Sequence, residues 1–378
     1  MKIPLKKGKY IAGIDVNDDH IEVRFKRKQK IALLFVSLGS NYWPYVEQAI
    51  DDCKKLFMPQ HDVDYFLWSD IPKKDDHEAL AGVLNALPTQ EQIDQDIKAG
   101  LGMRCFPREM VHASVARLWQ QESVNIIETG AIEWPAPTLM RYHLFLHEEE
   151  RLKQYDHIFY MDADMRVVQK ISDEILSEEL TCAPHPGYAI APRYVPPLEP
   201  NPESAAFIPR LGQYIKEENG NVRFMPFYAA GGFQGGTSKA FIKAMKVMRS
   251  GIDADFNKNY TAIWNDETHW NKYLWDFQKK KGKITFLDVS YVYPDSLIKE
   301  YYEPMWGRSY PPKIITITKP FTLSKQGGAA LNKMLGNQTG SFECPTCRDI
   351  LYQEGHTIQR IIQCQGQGKP HEIEMQKI

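Results

Sequence analysis

The chain has 378 residues, of which 43% are hydrophobic and 25% charged, and its formal net charge is −2. These values are typical of a folded globular protein, and the length suffices for one large domain with appendages or for two domains. The near-neutral balance, without a massed basic tract, argues against a nucleic-acid-binding surface.

The chain contains no apolar run of about 18 residues, which argues against a membrane span. Its first residues, Met1–Lys7, are not followed by an apolar stretch long enough for a signal peptide. We therefore expect a cytoplasmic protein. In that compartment the scattered Cys53, Cys105 and Cys182 predict free thiols rather than a disulfide framework.

The first part of the chain alternates strand and helix patterns. Residues 1–29 are strongly charged and predict a short amphipathic strand or hairpin. An apolar run over 31–37 predicts a buried strand, 42–57 has helical spacing, and 63–70 reads as another strand. Strand, helix and strand at this spacing predict a right-handed parallel crossover, and near-continuous apolar strands suit a sheet covered on both faces.

The remaining patterns complete an α/β arrangement. They predict a polar, helix-prone region over 71–121 with a surface helix at 90–96, strands at 124–127, 157–161 and 284–287, helices at 137–154, 237–249 and 265–279, a proline-rich loop at 184–203 and a glycine-broken strand at 227–236. From residue 326 the composition shifts to Gly, Gln and Cys. We therefore divide the chain into an N-terminal extension (1–29), one α/β domain (30–325) and a C-terminal tail (326–378).

The predicted strand at 157–161 ends at Asp162-Ala163-Asp164, the most informative stretch of the chain. A buried strand that ends there delivers two carboxylates to the carboxyl edge of a sheet, where open α/β sheets bind their ligands. Oxygen ligands suit Mg²⁺ or Mn²⁺, and such a cation can hold a diphosphate. Taken alone, such a pair more often marks an ordinary strand-end turn, in which Asp is common.

Three more segments follow this pair in order: HPGY at 185–188, FYAAGGFQGG at 227–236 and WNDETHWNKYL at 264–274. Their order and spacing resemble glycosyltransferase family 6, the family of the histo-blood-group A and B transferases and the α-1,3-galactosyltransferases, over about Ile31 to Lys325. The resemblance implies a GT-A fold, a single Rossmann-like mixed sheet flanked by helices. It also implies retaining transfer of GalNAc or Gal from a UDP-sugar in α-1,3 linkage to a galactose-terminated oligosaccharide acceptor.

The resemblance also implies roles for individual residues. Asp162 and Asp164 match the family's metal-binding pair, which predicts dependence on Mn²⁺ or Mg²⁺. Glu267 matches the catalytic glutamate, either as a nucleophile or as a carboxylate that stabilises an oxocarbenium-like state. The donor-binding residues that the resemblance implies are Phe35, Val36, Tyr42, Arg141, Ala230, Gly231, Gly232, Asp266, Lys319 and Lys325. The acceptor-binding residues that it implies are His185, Trp264 and Asp295.

Within the donor set the implied tasks differ. Phe35, Val36 and Tyr42 resemble the uridine pocket, and Lys319 and Lys325 resemble basic residues that close over the diphosphate and exclude water. The residues at 230–232 set the size of the donor sugar, and small side chains there leave room for an N-acetyl group without excluding Gal.

Each of these segments also has a purely structural interpretation. Adjacent acids at a helix start commonly complement the helix dipole, and a double glycine commonly marks a bulge or a close approach. Arg141 could be a solvated residue on a helix face, and His185 an ordinary loop histidine. At the level of function, a transferase for another UDP-sugar or a catalytically silent sugar-binding module are the alternatives.

The tail carries a separate motif. Cys344 and Cys347 form a Cys-x-x-Cys pair, and His356 and Cys364 follow. Such a set can build a tetrahedral zinc site, which adds a possible structural Zn²⁺ to the predicted cofactors. Free thiols in a loosely ordered tail are the alternative.

Overall fold

The structure is a computed structural model that describes residues 8–16, 21–99, 105–130, 136–188, 198–209, 214–216, 222–224, 228–295 and 310–317, together with short strands beyond residue 339. The strands are β1 (Lys9–Val16), β2 (Ile21–Arg27), β3 (Lys30–Ser37), β4 (Asp62–Ser69), β5 (Val124–Glu128), β6 (His157–Met161), β7 (Met165–Val167), β8 (Leu180–Pro184), β9 (Tyr214–Lys216), β10 (Val222–Phe224), β11 (Ala229–Thr237), β12 (Ile284–Phe286), β13 (Tyr293–Pro294), β14 (Ile314–Thr316), β15 (Gly340–Glu343), β16 (Ile350–Gln353), β17 (Ile362–Cys364), β18 (His371–Ile373) and β19 (Gln376–Lys377). The α-helices of these ranges are α1 (Trp43–Leu56), α2 (His77–Asn85), α3 (Gln90–Lys98), α4 (Arg108–Trp119), α5 (Ala136–Leu139), α6 (Arg141–His147), α7 (Glu149–Leu152), α8 (Ser238–Phe256) and α9 (Asn265–Lys279).

A seven-stranded mixed sheet in the order β12-β8-β11-β6-β3-β4-β5 forms the centre of the fold. β3 pairs in parallel with β4 and β6, β4 pairs in parallel with β5, and β11 lies antiparallel between β6 and β8. The predicted fold class, one mixed sheet between helices as in GT-A proteins, is confirmed.

The strand order places a ligand-binding crevice. The chain proceeds outward from β3 through β4 to β5 and then returns to the opposite side of β3 with β6. The connections after β3 and β6 therefore leave the sheet in opposite directions, and open α/β sheets bind ligands at the carboxyl ends of such a strand pair. The loops that begin at residue 38 and at Asp162 border this crevice.

Both faces of the sheet are buried, as the apolar strand at 31–37 predicts. Leu33 and Phe35 pack in a core layer with α1 and α4, whereas Ala32 and Leu34 face a second layer with α6, α8 and α9. Alternate residues of β3 thus serve opposite layers, which is the two-residue period of a strand with helices on both sides.

Several sequence predictions differ from the structure in detail. The helix predicted over 137–154 is divided into α5, α6 and α7, and Glu148 between the last two has φ −98° and ψ 19°, away from helical values. The glycine-rich strand is continuous as β11, but its register against β8 shifts between Ala229 and Gln234. The helix predicted to end at 249 continues to Phe256, because Ile252 and Asp255 on its inner face are buried.

The predicted N-terminal hairpin is present as the antiparallel pair β1–β2. Its side chains fasten it to the rest of the chain: the Tyr10 hydroxyl donates to Asp173, Lys26 lies 3.0 Å from the same carboxylate, and Arg27 lies 2.5 Å from Asp156. The boundaries proposed at residues 30 and 325 stay predictions. Within the described ranges, no helix combines the length and apolarity that crossing a bilayer requires.

Candidate functional site

The aspartate pair lies at the crevice, directly after β6. The Asp162 N–H donates to the Gly232 carbonyl at 2.9 Å, which ties the start of this loop to β11. The Asp164 carbonyl accepts the Ile317 N–H at 2.9 Å. Both aspartates are partly exposed, so a ligand in the crevice can reach them.

Arg141 joins the aspartate pair to the second acidic motif. Its Nε lies 3.2 Å from Asp266 Oδ2 and its Nη1 lies 3.5 Å from Asp162 Oδ1. Its guanidinium stands 4.4 Å from the centre of the Tyr160 ring, and the Tyr160 hydroxyl donates to Asp162. Only 6% of the Arg141 side chain is exposed, so it is a buried cation between two acids rather than a solvated residue.

Asp266 and Glu267 occupy the first turn of α9, where Asp266 is buried and Glu267 is partly exposed. Glu267 Oε2 accepts the Gly231 N–H at 2.7 Å, and Asn271 bonds to both backbone groups of Ala229 and to the Glu267 carbonyl at 2.8–2.9 Å. The helix start is therefore fastened to β11 directly beside the aspartate loop.

Burial perturbs both acids. Burial raises the pKa of Glu267 to about 7, although the Gly231 N–H acts in the opposite direction. Burial likewise raises the pKa of Asp266 to about 6, against the lowering effect of Arg141. Acids with raised pKa values in a crevice are common at functional sites, although structural networks can also produce them.

Gly231 and Gly232 let these acids approach the strand. A Cβ atom at Gly231 would lie 3.1 Å from Glu267 Cβ, and one at Gly232 would lie 2.7 Å from Asp162 Oδ2 and 2.6 Å from Met165 Cε. The space beside both glycines is therefore filled by the chain's own side chains, as the close-approach interpretation expects. The role of residues 230–232 in setting the size of the donor sugar stays a prediction.

The loop after β3 forms the other wall of the crevice. Val36 and Tyr42 are partly exposed, whereas the Phe35 side chain is fully buried in the core, so only its backbone can contact a ligand. Asp70, directly after β4, holds this loop: its carboxylate accepts the Gly39 N–H at 2.9 Å and the Trp43 indole N–H at 2.9 Å. Sequence reasoning missed Asp70, although its place at the end of the strand predicted over 63–70 was a usable signal.

Of the predicted acceptor residues, His185 borders the start of β11. The His185 N–H donates to the Tyr228 carbonyl at 2.7 Å, and Pro184 pairs with Ala229. Burial lowers the pKa of His185 to about 4, so this imidazole is neutral at pH 7. Trp264 is 49% exposed and precedes the acids at the start of α9. Asp295 follows β13, and its N–H donates to the Thr316 carbonyl at 3.2 Å, one residue before Ile317, whose N–H bonds to the Asp164 carbonyl.

The other predicted site residues lie outside the described residues. These are Lys319, Lys325, Cys344, Cys347 and His356; Cys364 ends β17, and its side chain is likewise outside the description. Closure over a diphosphate and the zinc site in the tail stay predictions. Among the described residues, no group of three or more His, Cys, Asp or Glu side chains is arranged to hold a metal ion.

Two carboxylates nevertheless suit one kind of metal site. Mg²⁺-like cations commonly bind proteins through one or two carboxylates and take their other ligands from substrate phosphates and water. Asp162 and Asp164 supply such a pair at an accessible sheet edge. The residues present therefore fit a cation that arrives with, or is completed by, a diphosphate.

Comparison with known proteins agrees with this geometry. The model of the family described as "Glycosyltransferase family 6" matches residues 111–298. Over 261 residues the chain is 26% identical to globoside alpha-1,3-N-acetylgalactosaminyltransferase 1 of Gallus gallus, covering 65% of this chain and 62% of the relative. Over 286 residues it is 30% identical to histo-blood group ABO system transferase 1 of Rattus norvegicus, covering 75% and 66%.

A bacterial relative is also similar. The chain is 25% identical over 154 residues to the O-antigen biosynthesis glycosyltransferase WbnI of Escherichia coli, covering 40% of this chain and 61% of the relative. The chain thus spans just under two thirds of the length of each of these relatives. The matched family region contains the aspartate pair, both glycines and both acids of α9.

Proposed function

The chain belongs to glycosyltransferase family 6, and from this membership we propose that it transfers GalNAc or Gal from a UDP-sugar to a galactose-type acceptor in α-1,3 linkage with retention of configuration. One relative is named as an alpha-1,3-N-acetylgalactosaminyltransferase and another as a histo-blood-group transferase, and these names motivate the proposed sugars and linkage.

One observation carries the proposal. Four charged side chains lie around the Gly231–Gly232 segment, at the crevice where the strand order reverses: Asp162, Arg141, Asp266 and Glu267. A phosphate-bearing nucleotide between the loop after β3 and the aspartate pair would have its diphosphate beside Asp162 and Asp164 and its sugar toward α9. This arrangement suits departure of a diphosphate from a sugar.

Asp162 and Asp164 would hold the divalent cation, and a cation there supplies Lewis-acid neutralisation of the charge that grows on the departing diphosphate. The chain's own groups prepare that site. Tyr160 and Arg141 hold the Asp162 carboxylate from one side, and the absent side chain of Gly232 lets it lie against β11. The carboxylate is thereby fixed before a ligand arrives, which lowers the cost of reorganisation.

Glu267 is the proposed catalytic residue. In the transfer, the bond between the anomeric carbon and the diphosphate oxygen breaks with its electron pair on the diphosphate. The oxygen of the acceptor hydroxyl bonds to that carbon, and its proton passes to the departing diphosphate. Positive charge develops on the sugar, and a buried carboxylate stabilises such charge more strongly than an exposed one. The Gly231 N–H orients Glu267 for this role, either as a nucleophile or as an electrostatic partner.

The acceptor is proposed to lie on the open side of this acid. The exposed indole of Trp264 offers a flat apolar face of the kind on which galactose packs, and neutral His185 offers a ring nitrogen to a sugar hydroxyl. Asp266, held by Arg141, would bind hydroxyls of the donor sugar.

The test is direct incubation of the purified protein with UDP-GalNAc, UDP-Gal and UDP-Glc against a panel of galactosides and fucosylated galactosides. NMR of the product should show an α-1,3 linkage formed from UDP-GalNAc or UDP-Gal. Glu267→Ala should lower the rate by roughly 10²- to 10⁴-fold. Transfer from UDP-Glc alone would replace the proposed donor, and sugar binding without turnover on any donor would favour a silent binding module.

A further inference from the structure

A tight turn over residues 262–265 carries Trp264 immediately before α9. The Asn265 N–H donates to the Ala262 carbonyl at 2.9 Å, and Asn265 has φ 52°, in the left-handed region that asparagine adopts more readily than most residues. The Glu267 N–H donates to the Trp264 carbonyl at 3.1 Å. The 262–265 turn therefore joins the exposed indole directly to the first turn of α9.

Glu199 binds this turn from a distant part of the chain. Its Oε2 accepts the Ile263 N–H at 2.8 Å, and its Oε1 accepts the Tyr260 hydroxyl at 2.5 Å and the Asn201 N–H at 2.9 Å. Only 2% of Glu199 is exposed. A buried carboxylate with three donors is held in one orientation, and its removal leaves buried donors without their acceptor.

The hydrogen bond from Ile263 fixes more than one backbone group. The Ile263 N–H and the Ala262 carbonyl belong to the same planar peptide. Glu199 holds one edge of this peptide, and the other edge accepts the Asn265 N–H, which belongs to the peptide that follows Trp264. Two rigid peptide planes thus connect the Glu199 carboxylate to the backbone on the C-terminal side of Trp264.

The segment that carries Glu199, residues 198–209, is itself fixed to α8. Asp255 near the end of α8 accepts the Ser204 hydroxyl and the Ala205 N–H, both at 2.7 Å, and only 1% of Asp255 is exposed. A small buried cluster includes both ends of the segment and consists of Leu198, Ile208, Tyr228 and Trp275. The 198–209 segment therefore gives Glu199 a rigid base.

We propose that Glu199 is a positioning residue for the acceptor: it fixes the 262–265 turn so that the Trp264 indole keeps the orientation in which it packs against the acceptor sugar. This inference rests on the proposed function, in which Trp264 receives a galactose-type acceptor. Without the Glu199 carboxylate, the peptide between residues 262 and 263 is free to rotate, and the peptide that follows Trp264 moves with it.

The rest of the site has supports that do not involve Glu199. The Glu267 carboxylate accepts the Gly231 N–H at 2.7 Å. The Trp264 N–H donates to Thr268 Oγ1 at 2.9 Å, which holds the peptide before the indole but not the peptide after it. Loss of Glu199 should therefore weaken acceptor binding while the donor site and the reacting acid stay in place, which appears as a higher KM for the acceptor at a similar kcat.

The experiment compares Glu199→Met with Glu47→Met. Glu47 is also buried, at 5% exposed, and accepts two hydrogen bonds from Arg117 at 2.8 and 2.9 Å, but it lies on α1, across the sheet from α9. Both variants should lose thermal stability. Only Glu199→Met should raise the KM for a galactoside acceptor, by roughly tenfold, while kcat and the KM for the donor stay within about twofold. An acceptor KM that stays within about twofold of wild type in an active Glu199→Met variant overturns the proposal.

A second readout does not depend on turnover. The protein is labelled with fluorinated tryptophan, and the ¹⁹F NMR signal of Trp264 is assigned by its loss in Trp264→Phe. The chemical shift of this signal should change in Glu199→Met and stay at the wild-type value in Glu47→Met. Glu199→Asp withdraws the carboxylate from Ile263 by one methylene and should also change the shift, so it decides the question if Glu199→Met does not fold.

The outcomes separate the positioning role from the proposed function. An unchanged Trp264 signal in folded Glu199→Met, or in Glu199→Asp if the first variant does not fold, overturns the positioning role. A changed signal in a protein that transfers no sugar supports the positioning role and rejects the proposed function instead.

Discussion

The carboxylate of Glu267 should destabilise the folded protein at neutral pH, and replacing it should make the protein more stable. Burial raises the pKa of Glu267 from 4.5 to about 7. The folded protein therefore binds more protons than the unfolded chain between these values, and its stability falls as pH rises through that interval. Since one pKa unit corresponds to about 1.4 kcal/mol, the cost reaches about 3 kcal/mol at pH 8 and stays below about 1 kcal/mol at pH 5.

Glu267→Gln removes the charge and keeps an oxygen that can accept the Gly231 N–H. We expect the metal-free variant to exceed wild type by about 3 kcal/mol in the free energy of unfolding at pH 8, and by less than about 1 kcal/mol at pH 5. The assay is urea denaturation followed by circular dichroism at both pH values, with the slopes against urea compared to confirm equal exposure of surface on unfolding.

Glu174→Gln is the matched control. Burial acts to raise the pKa of Glu174, but the hydrogen bond from Lys313 prevails and lowers it. Its ionised form therefore supports the fold, and its replacement should destabilise the protein at pH 8. A Glu267→Gln variant that is less stable than wild type at pH 8, or equally different at both pH values, would refute the burial argument.

Three more variants test other parts of the crevice. Arg141→Met leaves Asp162 and Asp266 without their buried cation, so calorimetry should show a loss of about 3–5 kcal/mol in the free energy of unfolding. The loss should be smaller at pH 5, where Asp266 is protonated. A negligible loss would contradict the bridging geometry. Asp70→Ala frees the loop after β3, and steady-state kinetics should show a roughly tenfold higher KM for the donor with kcat little changed; a fall in kcat alone would contradict its role in the nucleotide wall. Gly232→Ala places a methyl group against Asp162, so titration of Mn²⁺ in the presence of UDP should show about tenfold weaker Mn²⁺ binding. An unchanged affinity would show that Asp162 can move aside without loss of the metal site.

The sequence alone predicted the elements that position the site. The apolar run before Asp162 matches β6 (His157–Met161), and the pattern at 265–279 matches α9, because each has an unambiguous local period. The parallel crossover from β3 to β4 follows from spacing and is confirmed. These local signals placed the aspartate pair at the carboxyl edge of the sheet, whereas Asp266 and Glu267 were assigned to the site through the family resemblance.

The connections between those motifs required the structure. Arg141 has the sequence environment of an ordinary helix residue, and only the packing of α6 against β11 and α9 shows that it lies between two acids. Glu199 resembles any polar residue in a proline-rich loop until its hydrogen bonds from Tyr260 and Ile263 are seen. Contacts of this kind join residues far apart in sequence, and no local period reports them.

The central claim is that Asp162 and Asp164 bind a nucleotide diphosphate through a divalent cation. Calorimetric titration of UDP into wild type and into the Asp162→Asn/Asp164→Asn double variant, with Mn²⁺ and with EDTA, measures this directly. Wild type should bind UDP at least about tenfold more tightly with Mn²⁺, a difference of about 1.4 kcal/mol, and the double variant should lose that gain. Equal UDP affinity of wild type in Mn²⁺ and in EDTA, or a full Mn²⁺ effect in the double variant, would contradict the account.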